Sequence, residues 1–123
     1  MAQRLRLVAG DTPAISLLVT DADGRPVDIS TATVRMYVRV AGASAIKATV
    51  VATPLPGRES STGAVNLAPP YHVAGKGGRA VCVCPSTVFD VAGAYEAEVE
   101  TTFSDATVRT AYQIIRITVR KDF

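Results

Sequence analysis

The sequence contains no tryptophan, one histidine and two cysteines, and these shortages exclude most of the chemistry open to a chain of 123 residues. A serine or cysteine nucleophile needs a base to activate it, and the only imidazole is His72, in Pro70-Tyr71-His72-Val73. One histidine beside a proline-rich loop makes a poor triad, so His72 is expected to be structural or solvent-exposed. Cys82, Cys84 and His72 offer three soft ligands with no second pair at finger-like spacing, so no metal is expected. The cysteines stand one residue apart, and on a strand they share a face in geometry unsuited to a disulfide. They are expected buried and reduced, which suits a reducing compartment.

Charge of one sign is lacking too. Thirteen basic residues meet eleven acidic ones, for a formal charge of +2, so no phosphate-binding surface and no nucleic-acid partner is expected. Long apolar runs are missing: the opening Met1 to Gly10 is interrupted by Arg4 and Arg6 and is too short for a signal core or a membrane span. The expectation is synthesis and retention in the cytosol, away from membranes. No window of twelve or more residues keeps a helical period without a Gly, a Pro or a β-branched cluster.

What remains is a β pattern. A hydrophobic fraction of 48%, with mean hydropathy +0.24, argues against disorder, and the length suits one domain over residues 1–123. Strands are expected at Gln3 to Val8, Ala14 to Thr20, Thr33 to Val40, Ala45 to Thr53, Gly63 to Ala68, Gly78 to Cys84, Tyr95 to Phe103 and Val108 to Val119. In the second, Ile15, Leu17 and Val19 share a face; in the third, Val34, Met36, Val38 and Val40 oppose Arg35, Tyr37 and Arg39. Short strands with turn signals at regular spacing predict an all-β, two-sheet antiparallel sandwich of about seven to nine strands.

Two segments invite ligand readings that their spacing does not support. Asp21 to Asp28 carries three carboxylates, but Asp23-Gly24-Arg25-Pro26 breaks the alternate-ligand series of a calcium loop and reads as a turn. Gly75-Lys76-Gly77-Gly78-Arg79 lacks the order and following helix of a phosphate cradle, and reads as a flexible basic loop within an exposed stretch, Pro69 to Gly78.

Two constellations stand out. Asp90-Val91-Ala92-Gly93-Ala94-Tyr95 resembles the tyrosine corner of immunoglobulin-type domains, with the Tyr95 hydroxyl expected to bond the chain just upstream. Glu96, Glu98 and Glu100 form a stripe of like charge that repels itself unless neighbours answer it. Arg35, Arg39, Arg116 and Arg120 on flanking strands are expected to complete a basic-acidic-basic ladder. A two-residue turn at Asp105-Ala106 would put Glu96 opposite Ile115, so the ladder requires a three-residue loop or a bulge.

The order Gly10-Asp11-Thr12-Pro13, then Val19 to Ser30 with its D-x-D-G-x-P-x-D-I-S turn, then Ala32-Thr33-Val34-Arg35-Met36 resembles a known family. With Asp90, Gly93 and Tyr95 at the corner and Ser104-Asp105 at the final hairpin, it is similar to the N-terminal immunoglobulin-like module of phage baseplate upper proteins, over about residues 10–119. The resemblance implies an immunoglobulin-like fold with no catalytic residues, cofactor or small-molecule substrate. It also implies a tail, baseplate, neck or fibre-attachment component of a virion, assembled in multiple copies in the host cytoplasm by docking to other virion proteins. A capsid decoration protein is the nearest alternative. A bacterial adhesion or carbohydrate-binding module is the further one, poorly supplied for sugar stacking with only Tyr37, Tyr71, Tyr95 and Tyr112.

Overall fold

The computed structural model describes residues 4–59, 62–111 and 114–123; Tyr112, Gln3 and the middle of the expected last strand lie outside them. The described residues contain no helix. They form β1 (Arg4–Val8), β2 (Ala14–Leu18), β3 (Thr33–Val40), β4 (Ala48–Val51), β5 (Thr53–Pro54), β6 (Arg79–Val83), β7 (Gly93–Thr102), β8 (Val108–Thr110) and β9 (Ile115–Arg120). One sheet runs β1-β9-β7-β3-β4, with β8 also on β7; the other runs β2-β6-β5. The fold is an all-β, two-sheet sandwich.

Alternation builds the interior, because successive side chains on a strand point to opposite faces. Ile15 and Leu17 of β2 and Ala80 and Cys82 of β6 face inward from the smaller sheet. Val34, Met36 and Val38 of β3 and Ile115, Ile117 and Val119 of β9 do so from the larger one. Val40, expected with them, is 48% exposed, because β3 runs past the end of the core there. Phe89 and Ile29, from the connections, are fully buried and plug the sandwich. Each such side chain stabilises the fold by about 1.5–3 kcal/mol relative to exposure.

Several strand expectations are corrected. The sheets are not purely antiparallel: β1 pairs β9 in parallel, from Arg4 opposite Arg116 to Val8 opposite Arg120. The single strand expected over Ala45 to Thr53 begins later and divides at Ala52, with β4 pairing β3 in one sheet and β5 pairing β6 in the other. Gly63 to Ala68 is not a strand; it contributes one isolated bridge, Val65 to Arg58, and leaves Val65 and Leu67 exposed.

The register of the last strands is set by the loop Ser104-Asp105-Ala106. Thr102 pairs Val108, and the Phe103 amide donates to the Thr107 carbonyl, so three residues lie in the loop, with Ala106 at φ +70°. Between the two pairings, Glu100 with Thr110 and Ala97 with Ile115, β9 gains two residues on β7. An even insertion keeps side-chain parity, so Glu96 faces Arg116.

The acidic turn after β2 is closed by its own side chains. Asp21 Oδ1 accepts from the amides of Asp23 and Arg25, each at 2.9 Å, and Asp28 Oδ1 accepts from Ser30 at 2.9 Å. Asp28 also pairs with Lys76 at 2.8 Å.

That pair helps tie down the glycine-rich segment, which is not the fully exposed loop its composition suggests. Gly75, Gly77 and Gly78 are buried. The Gly75 carbonyl accepts from Ile29 at 3.0 Å, and the Gly78 carbonyl from Val19 at 2.8 Å. Gly78 adopts φ +78°, and a Cβ there would sit 2.9 Å from the Val27 carbonyl oxygen and 3.0 Å from that of Val19. Only glycine allows the backbones this close.

Candidate functional site

The corner before β7 is organised around Tyr95. Its ring is buried, packs edge-on against Phe89 at 5.4 Å between centroids, and sends its hydroxyl to the Val91 carbonyl at 2.6 Å. Gly93 opens β7 with φ +149°, a region that side chains rarely enter. Asp90 has a different partner, Lys47, whose ammonium also donates to the Val88 carbonyl at 2.8 Å and lies 5.2 Å from the Tyr95 ring centre. Lys47 thus clamps the connection between β6 and β7 to the chain just before β4. The sequence reading overlooked it, although an aspartate beside a corner is a signal to look for a cation.

The Lys47 hydrogen bond holds the Asp90 carboxyl below the ordinary aspartate range. Asp28 is also lowered: partial burial pushes it up, but the Lys76 and Ser30 bonds outweigh that. Asp105 is lowered by the Thr107 hydroxyl and amide. A depressed folded value contributes stability that is present above the unfolded value, about pH 4, and is lost as pH falls through the folded one. Thermal melts from pH 6 down to pH 2 should therefore show a falling melting temperature, with a shallower fall in Asp90→Asn. Parallel curves for the two proteins would remove Asp90 from the account.

The outer face of the larger sheet carries the charges. Glu96 lies between Arg39 at 3.3 Å and Arg116 at 3.1 Å, so that rung of the ladder forms. Both guanidinium groups are about half exposed, and each pair contributes only about 0–1 kcal/mol. The other rungs differ from expectation. Arg35 stands opposite Glu100, but the Tyr37 hydroxyl takes that carboxylate at 3.1 Å, and Arg35 makes no ion pair among the described residues. The same bond raises the Tyr37 pKa, since it favours the protonated phenol. Glu98 faces Tyr37 across the strands and is likewise without an ion pair among the described residues. Arg120 lies beyond the end of β7, donates to the Lys121 carbonyl and covers the Phe123 ring at 5.1 Å. It belongs to the β1 side rather than to the ladder.

No protein-family model matches the sequence, and no curated protein matches it either.

Grooves interrupt the surface of the described residues. A shallow groove of about 440 Å³ runs along the ladder between Ile46, Tyr37 and Glu98. A larger one of about 780 Å³ opens beside β2, with Leu17, Val19, Val99 and Ile115 in its lining. Among the described residues the titratable side chains there are Asp21, already bonded to two amides, and Arg109.

Cys82 and Cys84 are free and fully buried, and burial pushes the Cys82 thiol up to about 11. A thiol held protonated makes a weak nucleophile and a weak ligand. His72 is exposed in the loop after the Pro69-Pro70 pair.

Proposed function

We propose that the chain is a non-enzymatic, immunoglobulin-like docking module of a bacteriophage particle, in its tail, baseplate, neck or fibre-attachment region. Strand order supports the immunoglobulin-like part. The smaller sheet follows the B-E-D order of such domains and the larger one the C′-C-F-G order, with Tyr95 at the start of the F strand. The virion part rests on the resemblance to phage baseplate modules, carried by the Asp21 to Ser30 turn and the Asp90 to Tyr95 corner. Both segments serve as structural turns. Docking rests chiefly on the outer face of β1 and β9, where arginines outnumber the carboxylates that answer them.

Particle assembly tests the reading. Deleting the gene from its phage should give particles that lack density at one site by electron microscopy and form fewer plaques. Missing density on the capsid surface would favour the decoration alternative. Complete, infectious particles would overturn the virion reading.

A further inference from the structure

We propose that the free edge of β1 is a docking site for an extended, acidic segment of a partner protein, which adds to the larger sheet as a further strand. The inference rests on the docking reading and names the surface that performs it. β1 pairs only with β9 and closes one side of that sheet, so its other side is open among the described residues. In a strand, successive residues turn their backbone groups to opposite sides. The Ala9 amide reaches β9, donating to the Arg120 carbonyl at 2.9 Å, so Leu7 and Leu5 do likewise. The backbone groups of Arg4 and Arg6 therefore face outward, as a ready template for pairing.

The side chains select what pairs there. Arg4 and Arg6 point to the outer face, are exposed and make no ion pair among the described residues. Across the ladder stand Arg116 opposite Arg4 and Arg120 opposite Val8, and among the described residues Glu96 is the one carboxylate bonded to this group. On the inner face, Leu5 and Leu7 pack against the core but are only partly buried, leaving apolar surface for an added strand to cover. The occupant that satisfies all three features alternates carboxylates on one face with apolar side chains on the other. Arginine favours it further, since its planar fork takes a carboxylate in two parallel bonds. A nucleic acid would meet the cations but neither the backbone edge nor the leucines, and it would lie against Glu96.

The probe is a short fluorescein-labelled peptide in which Glu and Val alternate, with binding to the full chain read by anisotropy. Three controls accompany it: the same composition with the glutamates in one block, the alternating peptide N-methylated at every second residue, and a single-stranded oligonucleotide. The alternating peptide should bind, all three controls more weakly, and Arg4→Glu/Arg6→Glu should weaken it by about tenfold or more. Both positions are exposed, so a melting curve confirms the variant's fold, and Arg4→Gln/Arg6→Gln serves if charge reversal disturbs it. No binding, equal binding of any control, or affinity unchanged in the variants would overturn the proposal. Assembly of the variants into particles separates the two readings. Normal assembly with a failed peptide experiment removes the edge and leaves docking elsewhere; a gene deletion without consequence removes both.

Discussion

Phe89→Ala is expected to lower the free energy of unfolding by about 3–5 kcal/mol, the largest effect of any single truncation in this core. Phe89 is the largest side chain with no exposure at all among the described residues, and its ring meets that of Tyr95 in a T-shaped contact. Its removal leaves a hole between the β6–β7 connection and the sandwich. The neighbouring backbone is held by Lys47 on the Val88 carbonyl and by the Gly10 amide on the Phe89 carbonyl at 3.0 Å, so it has little freedom to collapse. Tyr95→Phe keeps the ring and strands only the Val91 carbonyl, and should cost about 1–3 kcal/mol. Urea unfolding of both variants gives the comparison; a Phe89→Ala cost at or below that of Tyr95→Phe would show that the corner, not the plug, anchors this end.

Gly78→Ala should cost at least about 2 kcal/mol although it adds a single methyl group. A positive φ alone costs an alanine about 1–2 kcal/mol. The new carbon would also lie within 3.0 Å of two carbonyl oxygens, on β2's extension and on the segment after the acidic turn. Neither can retreat freely, because the Val19 amide donates to Gly78 and the Val27 amide donates to Val19. Gly42→Ala isolates the conformational part, since Gly42 has φ +83° with nothing within 4 Å. Equal losses in the two variants, read from thermal melts, would refute the close approach at Gly78.

These two sites also mark where the sequence was and was not legible. β3 follows its expected bounds because four alternating apolar positions leave one register open to it, and Asp21 closes its turn because its carboxylate needs only local amides. Tyr95 was legible for the same reason: the hydroxyl finds its acceptor four residues away. Gly78 was misread because glycine looks alike whether the chain is free or pressed against another backbone. The division at Ala52 left no trace, since Val50 and Ala52 both point inward and alternation does not say which sheet a residue pairs with. Nor does alternation give strand direction, so the parallel pairing of β1, and with it the place of Arg4 beside Arg116, was hidden. The ladder was legible only in part. Register brought Arg35 to Glu100, but the neighbouring Tyr37 hydroxyl reached the carboxylate.

The parallel pairing of β1 with β9 has a mechanical side. Parallel strands that lie side by side enter at one end of the sheet and leave at the other, so Arg4 and Arg120 sit at opposite ends of their shared ladder. A pull applied between those two points runs along the strands and loads the rungs from Arg4 to Val8 together, as shear. The antiparallel hairpin of β7 and β8, pulled at its open end, would instead peel one rung at a time. Tension carried through β1 and β9 thus meets the sheet in its stiffest direction.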